Sequence, residues 1–571
     1  MPKEINKEWV LGLSYGHHES SCSILSNKGD LFFLREEWLT RVKLDYRFPK
    51  SSINYFLNNI IKDDKISAVC HFQNPLKNWL SIGTKKNLSP ENYQLKIRQF
   101  RKSDIFIEKD LKKIIKNKYD LLYCPHHLSH ALAAKSFAKK NKRSIYLVLD
   151  GYGDGSSGAA FNEDFVQFLN FSPNQSLGIV YSAITEWAGF IPNEDEYKVM
   201  AIAAFGKPIY KDFILKNIIR FQNGSIFINE KYFNFIDIAE SPIKSAFYKK
   251  FSRPQSRHGE NVLNDKTLCD VICSFQESIE VVVSDLIHYI VSSNKNIEQI
   301  ICSGGLFHNS VLVGKISKKF NQEIIIPPCP GDAGSSIGAA FFASIYKNWR
   351  LNKFNDKNKT LSPFVGTNAP VLNSYDNLFN VKTKTYQSSL KFAKKLLNED
   401  EVFAVFDGRF EIGPRALGSR SLICNATSRL AVKKLNEIIK KREAFRPLAI
   451  MVNKSNFKKI FEADKHDNLN LLWMGQVNWT AKHKKYAFLH KDNSSRPQIV
   501  LDGDNFIDGG RPSNLLNSLL NNNILANTSF NIAGDPMVFD IEDVYINMVR
   551  MGLKYIFNNN KFYEIKNENS L

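Results

Sequence analysis

The chain has 571 residues, more than one hydrophobic core usually covers, so two or three domains are expected. Its 43% apolar and 12% aromatic content is that of a globular protein, and the absence of a long uncharged apolar run or an apolar leader argues for a cytoplasmic protein without a membrane partner. The net charge of +20 invites nucleic acid, but the lysines are spread along the chain without a zinc finger, an RRM signature or a basic tail, so small anionic ligands are expected instead.

Three β-like runs open the chain, Val10–Ser14, Ser21–Leu25 and Leu31–Arg35, the last two joined by a turn over 26–30. The first turn, Tyr15-Gly16-His17-His18-Glu19-Ser20-Ser21, can wrap a phosphate with backbone N–H groups, and His18 is a candidate proton acceptor there. In the next block, His126 and His130 stand four apart in HHLSH, so a helix starting here would project both imidazoles from one face. Asp150 then ends the apolar run Ser144–Asp150 and leads into a glycine-rich turn containing Gly151 and Gly153. Singly, such residues cap helices and turns. Together with Asp332, which follows the β-like run Ile324–Ile326, they form a candidate site for a metal or a phosphate.

Between these blocks, Asn193–Pro208 combines an acidic turn, a lysine and a helical apolar stripe ending at Gly206. Lys198 is the residue there expected to face a ligand, although an amphipathic helix with an acidic start has the same pattern. Cys269–Ser292 carries Phe275, Ile279, Val282, Leu286 and Ile290 at helical spacing, followed by a strand, Gln299–Cys302. Gly304-Gly305 come next, where missing side chains admit a ribose or phosphate, or simply a packing turn. The eight cysteines are scattered without a CxxC and several lie in apolar runs, as reduced, buried thiols do.

From about Leu121 strands and helices alternate, the pattern of an α/β fold. The domain plan expected is 1–346, a connector over 347–377 rich in Asn, Lys, Ser and Pro, and 378–571, with a second α/β region from Val402–Phe406 onward. That last part holds Gly408–Leu422, Lys440–Pro447 and Asn527–Asn531. Arg415, Arg420 and Arg446 stand among Gly, Pro and Ser, and guanidinium forks with Ser/Thr hydroxyls make a cradle for an oxyanion.

Taken in order, GHHESS, HHLSHALAA, LVLDGYGDG, EYKVMAIAAFG, GG…HN, PGDAGSSIGAA, GRFEIGPRALGSRS, FRP and NTSFNIAGDP resemble the O-carbamoyltransferase family of the NodU/CmcH (TobZ-like) type over nearly the whole chain. The GPRALGxRS and EYKVM blocks are the specific ones. The resemblance implies an α/β protein with an actin-like (ASKHA) N-terminal domain fused to a YrdC-like C-terminal domain. It also implies the chemistry: carbamoyl phosphate yields carbamate, ATP with Mg2+ converts it to carbamoyl-adenylate and pyrophosphate, and the carbamoyl group passes to an acceptor hydroxyl of a sugar-containing or secondary-metabolite compound. By motif, His126, His130, Asp150 and Asp332 match the metal ligands, with Fe2+ expected and Zn2+ or Mn2+ as alternatives. His18 and Lys198 fall at catalytic positions, Gly151, Gly153, Gly304, Gly305 and Asn309 at nucleotide positions. Arg415, Arg420, Arg446, Asn527, Thr528 and Ser529 fall at the carbamoyl phosphate positions, and a homodimer is allowed.

Some positions depart from the family pattern. Glu19 replaces the usual Asp after the first-turn histidine, Ser20 and Ser21 stand at alanine positions, and SGGLFHN lacks the aliphatic pair that relatives often carry before the asparagine. Two rival readings are a tRNA threonylcarbamoyladenosine-type modification enzyme and an ATP-binding regulator without catalysis. The order of the fusion and the GPRALGxRS block favour carbamoyl phosphate as donor over the first, and the intact set of candidate ligands argues against the second.

Overall fold

Short apolar runs separated by turn residues become strands where expected, here β1 (Glu8–Ser14), β2 (Ser21–Ser26) and β3 (Leu31–Arg35). The three pair antiparallel in succession, and β4 (Lys65–His71) and β5 (Asp120–Tyr123) add parallel to β1 on its other side, giving the order β3-β2-β1-β4-β5. β2 is buried along its whole length, so neither of its faces is left to solvent. In the computed structural model the described residues are 7–16, 19–74, 107–235, 242–252, 254, 260–356, 359–443, 445–461, 475, 477–483, 486–500 and 506–566.

A second sheet repeats the plan. β6 (Ser144–Gly153), β7 (Ser156–Phe161) and β8 (Gln167–Phe171) form an antiparallel meander. A small hairpin of β9 (Ile219–Gln222) and β10 (Ser225–Ile228) stands apart, and β11 (Gln299–Ser303) and β12 (Glu323–Ile325) then extend the sheet parallel to β6, in the order β12-β11-β6-β7-β8. Two sheets of identical order and sense are the duplicated arrangement expected of an actin-like domain.

The helices that matter here are α1 (His126–Lys135), α2 (Glu196–Ile202), α3 (Lys266–Ser293), α4 (Ser310–Lys319) and α5 (Asp332–Tyr346). Asp265 caps α3 by accepting from Leu268 N–H, and the stripe from Phe275 to Ile290 is its buried face. α5 packs closely on α1: a Cβ at Gly338 would stand 1.8 Å from the Ser129 carbonyl oxygen, so only glycine allows this approach. α5 is also tied to β2, where Ser21 donates to the Ala333 carbonyl (2.6 Å) and the Ser23 and Ser336 hydroxyls meet at 2.7 Å. Ser21 therefore serves to fix the helix that carries Asp332.

The chain divides into two compact units, Met1–Glu36 with Asp45–Asn358, and Glu37–Leu44 with Lys359–Leu571. The second unit is also α/β. Its strands are β13 (Phe379–Val381), β14 (Phe403–Phe406), β15 (Arg420–Asn425), β16 (Ala449–Val452) and β17 (Trp479–Thr480), then β18 (Ser494–Ile499), β19 (Leu525–Ser529), β20 (Tyr555–Asn558) and β21 (Lys561–Ile565). They make one mixed nine-stranded sheet, β13-β21-β20-β14-β15-β19-β16-β18-β17. Leu396, Phe403, Ile423, Met451, Leu516 and Phe557 fill its core.

The stretch read as a connector is not a free linker after Lys359, because Leu361, Phe364 and Val365 are buried. Its low periodicity reflects irregular but packed chain. All eight cysteines are buried and unpaired. No helix among the described residues is long and apolar enough to cross a membrane.

Candidate functional site

Four side chains converge in the first unit. His126 and His130 come from the first two turns of α1, Asp150 from β6, and Asp332 is the first residue of α5. One ligand atom from each lies within 4.8 Å of the others, and all four residues are buried. His126 Nε2 is 3.0 Å from Asp150 Oδ2 and 3.7 Å from Asp332 Oδ1, while His130 Nε2 is 3.5 Å and 3.2 Å from the same two atoms.

The surroundings aim these groups. His130 Nδ1 lies 3.1 Å from the Pro330 carbonyl; donating there leaves Nε2 turned to the cluster with a lone pair. Gly305 N–H donates to Asp150 Oδ1 (2.9 Å). Asp154 Oδ2 accepts from His126 N–H (2.9 Å) at the start of α1, a supporting role the sequence analysis did not pick out. A Cβ at Gly153 would come within 2.2 Å of the His126 ring, so the glycine-rich turn makes room for the ligand itself. Asp150 does not end its strand, as expected, but sits within it where the β6–β7 register breaks between Leu149 and Gly153. Such irregularities re-aim side chains.

Two imidazole nitrogens and two carboxylate oxygens make a donor set that suits Fe2+, Mn2+ or Zn2+. The electrostatics fit a cation as well. Burial works against a charged His130, yet the hydrogen bonds and charges of Asp150 and Asp332 outweigh it and raise its pKa to about 9. Against the opposing effect of burial, the histidines hold Asp150 well below the usual carboxylate range and Asp332 also below it. A metal binds neutral imidazole, so it must displace the His130 proton. Metal affinity is therefore expected to rise with pH up to about 9 and to level off above, with proton release visible by calorimetry in buffers of different ionisation enthalpy. Affinity independent of pH over that range would contradict the assignment.

The expected nucleotide positions divide. Gly151 has open space where a Cβ would be. Gly304 N–H donates to Pro330 O (2.8 Å) and Gly305 N–H to Asp150, so this turn offers a ligand room rather than donors. Asn309 caps α4 by accepting from Leu312 N–H (3.0 Å), and its amide donates to Gln276 (2.8 Å). Lys198, on α2, pairs with Asp195 at 2.9 Å beside the rings of Phe190 and Tyr197. His18 lies outside the described residues; its neighbour Glu19 pairs with Arg35 at 2.6 Å.

A second set of functional groups occupies the second unit. A π-helical turn over Lys434–Ile439 ends at Lys440, and Lys441 has a left-handed φ of +46°, unusual backbone of the kind found at functional sites. Lys440 Nζ donates to the Ser529 carbonyl (2.9 Å), to Asn531 Oδ1 (3.0 Å) and to the Asn531 carbonyl. Arg442 donates to the Thr528 hydroxyl, Ser529 donates to Asn531 Oδ1 (2.6 Å), and Arg446 lies 3.4 Å from Glu443. Burial, followed by the charges of Arg442, Arg446 and Lys43, pushes the Lys440 pKa well below the lysine range. An anion bound there would relieve that repulsion. Lys440, Arg442 and Asn531 were in view only as parts of a basic run and an Asn-rich block.

Two of the expected carbamoyl phosphate residues turn inward. Arg420 is fully buried, with Nε 3.2 Å from Glu411 Oε2 and its guanidinium 4.0 Å from the Trp38 ring and 4.5 Å from that of Phe410. Asn527 donates to Ala416 O and to Gln498 Oε1, both at 2.7 Å. Both hold the loop that carries the half-buried Arg415 instead of offering free donors.

Residues 9–341 match the family model described as Carbamoyltransferase N-terminus, and residues 394–564 the one described as Carbamoyltransferase C-terminus. The chain belongs to the carbamoyltransferase family. It is similar to an uncharacterized protein of Synechocystis sp., 28% identical over 96% of this chain and 95% of that protein. Nodulation protein NolNO of Sinorhizobium fredii is 25% identical over 92% of this chain and 76% of its own length. The 3'-hydroxymethylcephem-O-carbamoyltransferase of Amycolatopsis lactamdurans is 27% identical over 43% of this chain and 44% of its own. As a carbamoyltransferase the protein is an enzyme, and the two carbamoyltransferase matches fall one on the unit with the His/Asp cluster and one on the unit with the Lys/Arg cluster.

Proposed function

We propose that the protein is an O-carbamoyltransferase that uses carbamoyl phosphate and ATP to carbamoylate a hydroxyl of a sugar-containing or secondary-metabolite acceptor. What carries this reading is the pairing, within a carbamoyltransferase, of a buried His2Asp2 cluster with a separate cationic cradle. In the cradle, Arg442 and Arg446, with Thr528 and Ser529, hold the phosphate of carbamoyl phosphate, and Arg415 reaches the same ligand from its loop. Lys440, whose three donors go to Ser529 and Asn531, fixes the chain that presents Thr528 and Ser529. Water attacking the carbamoyl carbon breaks the C–O bond to give carbamate and phosphate. A carbamate oxygen then attacks the α-phosphorus of Mg-ATP and displaces pyrophosphate, giving carbamoyl-adenylate. Last, the acceptor oxygen attacks the carbamoyl carbon, AMP leaves, and the hydroxyl proton passes to a base.

In the first unit the nucleotide lies over the turns of Gly151, Gly153 and Gly304–Gly305. His18 is the proposed proton acceptor, and Lys198, steered by Asp195, faces the anionic substrate. His126, His130, Asp150 and Asp332 would hold a divalent cation, Fe2+ first among the candidates. That cation supplies positive charge against which a reacting oxygen is stabilised.

Purified protein given metal, ATP, carbamoyl phosphate and a panel of hydroxyl acceptors is expected to release pyrophosphate and AMP and to yield an acceptor heavier by one carbamoyl group. Formation of ADP would overturn the adenylate route.

A further inference from the structure

The chain leaves the first unit after Glu36, lends eight residues to the second, and returns at Asp45. We propose that this strap, Glu37–Leu44, is a positioning element of the cationic cradle, acting through Arg41 and Trp38. The proposal rests on the reading of that cradle as the carbamoyl phosphate site.

Arg41 has a left-handed φ of +58°, unusual for a residue with a side chain and kept only where its surroundings fix it. Its guanidinium is engaged on both sides of the fork: Nη1 donates to the Met537 carbonyl (2.8 Å), Nη2 to the Pro536 carbonyl (2.9 Å), and Nε pairs with Asp543 Oδ1 (2.9 Å). Asp543 Oδ2 in turn accepts from Phe539 N–H (2.9 Å). These bonds pin the loop over 535–539, which is linked back to the cradle. Asn531 donates to the Asp535 carbonyl (2.5 Å), and Val538 N–H to the Phe530 carbonyl (3.1 Å). Asn531 is the residue that holds Lys440.

Trp38 acts on a different loop. The Arg420 guanidinium lies 4.0 Å over its ring and 4.5 Å from that of Phe410. Arg420 thereby fixes Glu411, whose Oε1 accepts from the N–H groups of Leu417 (2.9 Å), Ser419 (3.3 Å) and Arg420 (3.2 Å). Those bonds shape the loop on which Arg415 stands. The strap thus braces the loop behind Asn531 through Arg41 and the loop that carries Arg415 through Trp38, and the charge of Lys43 adds to those acting on Lys440. A plain tether between two units would need none of these contacts to fall on residues that carry the anion ligands.

The test uses the full-length protein and measures KM for carbamoyl phosphate, KM for ATP, competitive inhibition by inorganic phosphate, and bound metal. Arg41→Lys, which keeps the charge but not the fork, and Trp38→Leu are each expected to raise KM for carbamoyl phosphate and Ki for phosphate about tenfold, with KM for ATP and metal content unchanged. Trp38→Phe, which keeps a ring face, should restore most of the loss. If Trp38→Leu fails to fold, Arg41→Lys decides, because the Arg41 side chain is 29% exposed and tolerates the change. Unchanged carbamoyl phosphate kinetics in Arg41→Lys, with a raised KM in Arg442→Ala, would reduce the strap to a tether and leave the cradle reading intact. Unchanged kinetics in Arg442→Ala as well would overturn the cradle reading and the proposal with it.

Discussion

Replacing His130 with alanine is expected to strip the metal and abolish carbamoyl transfer while the unit stays folded. His130 contributes one of four donors, and its Nε2 faces both carboxylates at 3.2 and 3.5 Å. Removing even a residue that merely supports a ligand costs 10- to 100-fold in metal affinity as a rule, so loss of a ligand should cost more than about 100-fold. The variant should also leave the buried carboxylates of Asp150 and Asp332 with one imidazole, His126, in place of two. One of them is then expected to take up a proton, so the apo protein should remain folded at neutral pH. Metal content by elemental analysis, beside far-UV circular dichroism, checks both halves of this expectation. A variant that keeps its full complement of metal would refute the ligand assignment.

The second large effect is expected at Arg442. Truncation to alanine removes a charged donor beside Thr528 and one of the cations that set the potential at Lys440. Hydrogen bonds to charged groups contribute about 1.5–3 kcal/mol, so kcat/KM for carbamoyl phosphate should fall roughly 10- to 150-fold. With less positive charge nearby, the Lys440 pKa should rise toward the ordinary lysine range. Steady-state kinetics in carbamoyl phosphate, with ATP saturating, measure the first effect. An unchanged kcat/KM would remove Arg442 from the site.

Much of the first unit was legible in the sequence because its signals are local. The i, i+4 histidines require only a helix, and the apolar runs before Asp150 and Asp332 require only strands, so the four converging residues could be grouped before any fold was known. The position of Asp150 within its strand was less legible, since a register break depends on how β7 pairs and not on β6 alone. In the second unit, Arg420 and Arg415 share one motif and look alike in sequence. Only the burial of Arg420 against Trp38, Phe410 and Glu411 separates a residue that braces the loop from one that stands on it. Lys440 and Arg442 lie in a run of basic residues, a pattern that most often marks a solvated face, and their common target on β19 comes from strand order. The strap was not legible at all, because Glu37–Leu44 carries no boundary signal and its partners are nearly five hundred residues away in sequence.

The central claim is that the two units perform successive halves of one reaction through carbamoyl-adenylate. Supplying pre-made carbamoyl-adenylate and an acceptor to His130→Ala and Arg442→Ala, and following the carbamoylated product by mass spectrometry, tests it most directly. Arg442→Ala should transfer the group at the wild-type rate although it uses carbamoyl phosphate poorly, and His130→Ala should transfer none. Equal loss in both variants, or no transfer from carbamoyl-adenylate by the wild-type protein, would contradict the account.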